Sequence, residues 1–207
     1  MTASTPAQHP SHSLGRQTPL GRRVALARMG AGLLACGPAW AWAADNDTTF
    51  DEQSILKAAT EFFGKTTEGL AKVIEKAFKE QGRPNAYIVG EEVSAAISVG
   101  VRYGDGRLTM KSGATQRVYW AGPSIGFDVG ADASKVFTLI YKLPSPEAIF
   151  QRYPGVEGSL YYIGGVGINY QRLDGVTLAP VRLGVGLRTG ASVGYVHYRR
   201  EKSLNPL

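Results

Sequence analysis

From Asp51 to Gly82 the apolar residues recur at helical spacing, and beyond Pro84 the period falls to two, so the chain reads as a helical pair followed by a run of strands. Asp51 or Thr49 can cap a first helix that ends at Phe63, where Gly64 breaks it, and Thr66 is placed to cap the second. In that second helix Leu70, Val73, Ile74, Ala77 and Phe78 fall at i, i+3, i+4, i+7 and i+8 and form one apolar face. Gly82 supplies a left-handed stop and Pro84 forbids continuation. Lys65, Lys72, Lys76 and Lys79 admit a membrane-surface helix as an alternative, but Glu68, Glu75 and Glu80 interleave with them at supportive spacing and favour packing on a domain.

In the strand region Ile97, Val99, Val101 and Tyr103 alternate with Ala96, Ser98, Gly100 and Arg102. Gly104-Asp105-Gly106 is predicted to turn the chain, with Arg107 to Lys111 returning as hairpin partner. Further strands are expected at Arg117 to Ala121, Ser124 to Val129 and Lys135 to Tyr141. The last is apolar on both sides from Val136 to Ile140, which predicts cover on both faces, with the helices on one. A helical turn is expected at Pro146 to Arg152 with Ser145 as cap. Strands then follow at Leu160 to Ile163, at Val166, Ile168 and Tyr170, and, past a Leu173-Asp174-Gly175 turn, at Val176 to Ala179. The pattern ends with Val181, Leu183, Val185 and Leu187 inward, Arg182, Gly184, Gly186 and Arg188 outward, and a final strand from Ser192 to Arg200.

Many short strands with tight turns mean a barrel or a sandwich, and glycine separates the two. Gly100, Gly126, Gly167, Gly184, Gly186 and Gly194 lie inside strand patterns, where each costs about 0.5 to 1 kcal/mol relative to alanine and needs a geometric return. Strong coiling or close backbone approach is that return, so the expected fold is mainly β, a small antiparallel barrel with the amphipathic helical pair packed on it.

Composition changes the picture at the N-terminus. Arg22, Arg23 and Arg28 precede an uncharged run from Met29 to Ala44 that closes on Ala41-Trp42-Ala43, the form of an export signal cleaved at Ala43 or Ala44. The run is too short to span a bilayer core of about 30 Å. The organisation read from the chain is therefore a signal peptide over 1–44, a linker over 45–50, a helical segment over 51–83 and a barrel over 84–207, with 51–207 as one domain in the periplasm. Arg22-Arg23 also fits a twin-arginine signal loosely, and Leu33-Leu34-Ala35-Cys36 resembles a lipobox, which makes anchoring through Cys36 an alternative. Cys36 is the only cysteine, so the exported part has no disulfide. Of the 23 basic groups, Arg16, Arg22, Arg23 and Arg28 sit in the leader; the rest face 17 acidic ones, and a net charge of about +2 excludes a nucleic-acid footprint.

Candidate chemistry is sparse. Gly122-Pro123-Ser124-Ile125-Gly126 matches the G-x-S-x-G form, with Asp174 and His197 following in hydrolase order, but a nucleophile elbow needs strand, turn and helix, whereas Ile125 to Val129 alternates as a strand. His197 is the sole histidine after the leader, so the usual zinc set cannot assemble. Gly184, Gly186 and Gly190 miss dinucleotide spacing. Asn46-Asp47-Thr48 fits a glycosylation triplet in the linker. No catalytic, cofactor-binding or metal residue is assigned. Aromatics interleaved with glycine offer a binding surface instead, for which Tyr119, Trp120, Phe127, Asp128, Tyr153 and Tyr161 are the candidates.

Four runs carry a family resemblance: Gln81 to Ile88, Val118 to Asp128, Ala133 to Leu139 and Phe150 to Gly158. They are similar to the EipA family, envelope integrity proteins of alphaproteobacteria and relatives, over about Asp51 to Pro206. The resemblance implies a periplasmic, non-enzymatic barrel of SH3-like type that supports envelope integrity and stress resistance, with no ligand or catalytic residue to carry over. Its partner is expected to be an envelope component, whether protein, glycan or lipid headgroup, with no nucleic acid and no small-molecule cofactor. Gly122 to Leu139 also resembles the glycine-rich strands of SYLF domains, which makes phospholipid binding the alternative function, and a serine hydrolase the third.

Overall fold

The computed structural model describes residues 47–65, 67–95, 99–125, 133–183 and 194–203. The leader and its cleavage residues Ala43 and Ala44, the lipobox Cys36, and the candidates Phe127 and Asp128 lie outside them.

Helix α1 (Glu52–Phe63) begins where Asp51 accepts the Ser54 N–H at 2.8 Å and the Ser54 hydroxyl at 2.6 Å, and it ends on Gly64 in the left-handed conformation. Helix α2 (Glu68–Gln81) is capped by Thr67, whose hydroxyl accepts the Leu70 N–H at 3.1 Å; the cap falls one residue beyond the expected Thr66, which is not among the described residues. Gly82, with φ of 81°, stops it. The i,i+4 ion pairs Glu68–Lys72, Glu75–Lys79 and Lys76–Glu80 lie along the solvent side, where water screens them and they add little to stability. Leu70, Val73, Ile74 and Ala77 are fully buried against the sheet, so α2 is a packing helix.

Among the described residues ten strands form one antiparallel sheet: β1 (Ala86–Ala95), β2 (Val99–Met110), β3 (Thr115–Ile125), β4 (Ala133–Tyr141), β5 (Arg152–Pro154), β6 (Tyr161–Ile163), β7 (Val166–Ile168), β8 (Gln171–Leu173), β9 (Val176–Leu183) and β10 (Tyr195–Arg199). Their order is β5-β10-β3-β2-β1-β4-β9-β7-β6, with β8 also on β9. The sheet curls back on itself: Gly155, just past β5, bridges Gln171 of β8, and the Val156 N–H donates to the Tyr170 carbonyl at 2.9 Å. Strands β7 and β8 keep a single register on β9, with Val166 opposite Leu183, Ile168 opposite Val181, Gln171 opposite Leu178 and Leu173 opposite Val176. They are two halves of one strand. The break between them falls opposite Pro180, which has no N–H to give to the ladder. A 3₁₀ turn at Pro146–Ile149 replaces the longer helical turn expected there.

Two cores result. Phe137, Leu139 and Tyr141 of β4 join Val166, Ile168, Ala179 and Val181 under α1 and α2. Ile140 of the same strand points the other way, into an interior filled by Ile88, Leu108, Val118, Tyr153, Leu178 and Val196. Strand β4 is covered on both faces, as its unbroken apolar run predicts.

The first strand region departs from the sequence reading. Gly104-Asp105-Gly106 does not turn; it lies inside β2, paired with Glu92 to Gly90 of β1, a strand that the alternation did not single out. The hairpin turn is at Lys111 to Ala114 instead, with Gly113 at φ of 90°. The glycines serve close approach. A Cβ at Gly104 would run into the Trp120 indole, and one at Gly90 would sit 2.7 Å from the same ring. Gly104→Ala is therefore expected to displace the indole and to cost about 1 to 3 kcal/mol, as overpacked cores do. A lower urea midpoint at unchanged slope, together with a shifted Trp120 emission, checks this; an unchanged midpoint contradicts the packing described.

Candidate functional site

The alternation of β1, β2, β3, β9 and β10 sends Glu92, Arg102, Trp120, Arg182 and Tyr198 inward at one end of the barrel. Trp120, packed over Gly104 and Gly90, donates its indole N–H to Glu92 Oε2 at 2.8 Å. Arg182 reaches the same carboxylate side-on, Nε to Oε1 and Nη2 to Oε2, each at 3.3 Å, while its Nη1 donates to Asn169 Oδ1 at 3.3 Å. Glu92 is 4% exposed and Arg102 is 7% exposed. Burial alone raises the Glu92 pKa, but Arg182 and Arg102, with the Trp120 N–H, hold the carboxyl below its ordinary value. Burial lowers the Arg102 guanidinium and pushes the Tyr198 phenol up, so Tyr198, hydrogen-bonded with Thr138, stays neutral. The ring of Tyr198 tilts against Trp120 with centroids 5.8 Å apart. Arg182 thus faces inward, contrary to the outward position the alternation suggested, because its charge is matched across the barrel.

The four described candidate surface residues, Tyr119, Trp120, Tyr153 and Tyr161, do not form one surface. Tyr119 faces outward from β3, its ring under Arg117 at 5.4 Å. Trp120 points inward. Tyr153 is 0% exposed, its hydroxyl donates to the Ala148 carbonyl at 3.0 Å, and burial pushes its phenol up to about 12; it is core, because β5 turns this side chain onto Tyr198. Tyr161 lies on the helix side, under Lys76 Nζ at 3.7 Å.

An open groove does lie on the outer face beyond the helices. Val93, Tyr103, Tyr119, Ala121, Arg199 and Lys202 line it, Gly104 and Trp120 form its floor, and its volume is about 290 Å³. Val93 is 42% exposed there. The residues in hydrolase order are not arranged as an elbow: Gly122 to Ile125 are β3 itself, Asp174 occupies the β8–β9 turn at φ of 47°, and the His197 Nδ1 meets Arg199 at 3.3 Å. Burial, Arg199 and Arg152 lower the His197 pKa. Among the described residues no group of three or more His, Cys, Asp and Glu can hold a metal, and no helix is long and apolar enough to cross a membrane.

These features define a helix-backed antiparallel barrel with an apolar core inside it. A crystal structure of a β-barrel-like, uncharacterized protein from Brucella abortus has the same fold, with a TM-score of 0.71 and 39% identity over 77% of this chain and 99% of that one. The model of the EipA family, envelope integrity protein A, matches residues 48–207, and the chain belongs to that family. No curated protein matches the chain. Membership gives it a place in cell-envelope integrity.

Removing the buried carboxylate tests the interior network. Glu92→Gln leaves the buried Arg102 and the partly buried Arg182 without their counter-charge and is expected to cost about 3 to 5 kcal/mol. The pH dependence has a definite sign. The Glu92 pKa in the fold lies below its ordinary value of 4.5, so its stabilisation is present above that value and is lost as the pH falls through the lowered one. Urea midpoints measured from about pH 6 down to about pH 3 should fall less steeply in the variant than in the natural protein.

Proposed function

We propose that the protein is exported through a leader cleaved at Ala43 or Ala44 and acts in the periplasm as a non-enzymatic binding barrel that supports envelope integrity and stress resistance. The observation that carries this reading is the groove, where tyrosines, small residues and charged groups of both signs, Arg199 and Lys202 with Glu91, Asp105 and Glu201, meet on a face that the helices leave uncovered. Rings beside a glycine-flattened wall suit a glycan strand or an extended peptide, which can lie flat on Tyr103 and Tyr119 with polar groups toward Arg199 and Lys202. The nearby interior supports the same reading, since Glu92 is engaged by Arg182 and Trp120 in holding strands together rather than in acting as a base.

A second reading, headgroup binding, has one observation in its favour. Arg107, Arg117 and Arg152 are exposed on the β2, β3 and β5 strands of the same open side. A phospholipid-binding module should sediment with anionic vesicles and release in salt.

The test is complementation of a deletion strain. The Tyr103→Ala, Tyr119→Ala double variant should fold, since both rings are partly exposed, yet should fail to restore resistance to detergent and cell-wall antibiotics. A photocrosslinker at Val93 should trap an envelope glycan or peptide in the natural protein and lose it in the variant. Full complementation by the double variant sinks the groove reading. N-terminal sequencing of periplasmic protein checks the leader, and a start at Cys36 or an uncleaved chain contradicts it.

A further inference from the structure

The polar end of the barrel is unbalanced. Among the described residues it brings together two guanidinium groups and one carboxylate, and Glu92 spends both of its oxygens on Arg182 and Trp120. Arg102 is held near Glu92 by charge, but its Nε is buried and has no hydrogen-bond partner. A buried cation without a full set of acceptors is costly, and an N–H left without an acceptor adds a further penalty. The neighbouring position in β3, Gly122, carries no side chain. Tyr198, being neutral, supplies no negative charge.

The Glu92–Arg182 pair also shows how a guanidinium at this end accepts a carboxylate. Arg182 binds Glu92 side-on through Nε and Nη2, the fork that matches the two coplanar oxygens of a carboxylate. Arg102 has the corresponding Nε unengaged. Among the described residues the excess charge is a single positive one, which a monoanion balances. We infer that the polar end of the barrel is a binding site for one carboxylate group, taken side-on by Arg102 beside the Glu92–Arg182 pair. The bound group completes the interior electrostatics, with the Trp120 indole as its wall on the apolar side. This site is separate from the outer groove, and its failure would leave the groove reading untouched.

The experiment titrates the isotope-labelled protein with sodium acetate, and with sodium chloride at equal ionic strength, while following the Trp120 indole N–H resonance and the thermal midpoint. Acetate should shift the resonance saturably and raise the midpoint, and chloride should do neither. A short alanine peptide with a free carboxyl end, compared with its amide, separates sources. If the acid form binds and the amide does not, the site takes chain-terminal carboxylates. If acetate alone binds, it takes small free anions. Arg102→Met should fold with an equal or higher midpoint, because it removes the unmatched charge, and should weaken the acetate response about tenfold or more. Arg182→Met should lower the midpoint. An equal response to chloride, no response to acetate, an undiminished response in Arg102→Met or a lowered midpoint in that variant each overturns the inference. So does an Asp128→Asn variant that becomes sensitive to acetate when the natural protein is not, because the chain would then supply its own carboxylate.

Discussion

Taking a carboxylate out of water costs several kcal/mol unless the protein replaces its hydration with donors and opposite charge, and this requirement at Glu92 governs much of the barrel. The donors come from far along the chain. Trp120 stands on β3 and Arg182 on β9, so satisfying one side chain on β1 fixes strands on both of its flanks. The indole reaches Glu92 only by lying flat across β1 and β2, and that is possible only where Gly90 and Gly104 leave the backbone bare. A one-residue slip of β1 on β2 would put Glu92 outside and a side chain under the ring, so the network also specifies register.

The two faces of the sheet have different tasks as a result. Strands β4, β7 and β9 press their outer residues into α1 and α2, and β1 contributes Tyr87, which stacks on Phe137 at 5.3 Å. That half of the barrel wall is committed to packing. Strands β2, β3 and β10 carry no helix, and it is on them that Tyr103, Tyr119 and Arg199 stand exposed enough to meet a partner. Interior and exterior are linked at Trp120, whose indole N–H serves the buried carboxylate while the ring floors the groove.

How much of this was legible follows from the range of the forces involved. The helices could be read because their determinants are local: Asp51 with Ser54, the apolar face of α2, and Gly64 and Gly82 as stops. The doubly covered β4 could be read from its unbroken apolar run. The family could be read from long matched stretches, and the mainly β fold from the period of two beyond Pro84. Strand β1 could not, since Gly90-Glu91-Glu92 looks like a break until Glu92 acquires partners 28 and 90 residues away. Gly104-Asp105-Gly106 looked like a turn for the same reason: glycine permits a turn and a ring overhead equally well, and only the position of Trp120 decides. Arg182 was assigned outward because charge is normally solvated. Tyr153 was a surface candidate, yet only the placement of β5 shows that it fills the core.

The wall of the barrel is not equally strong all the way round. Along β1, β2 and β3 the ladders run ten and eleven residue pairs, whereas the junction from Gly155 to Gln171 is a single bridge, and the strand next to it is interrupted opposite Pro180. Thermal fluctuations that part the cylinder therefore unzip it at this clasp first. The tyrosine and leucine packing behind β5 would be wetted while the long ladders stay shut, and backbone amides near Gln171 would trade their protons with water sooner than those of β2.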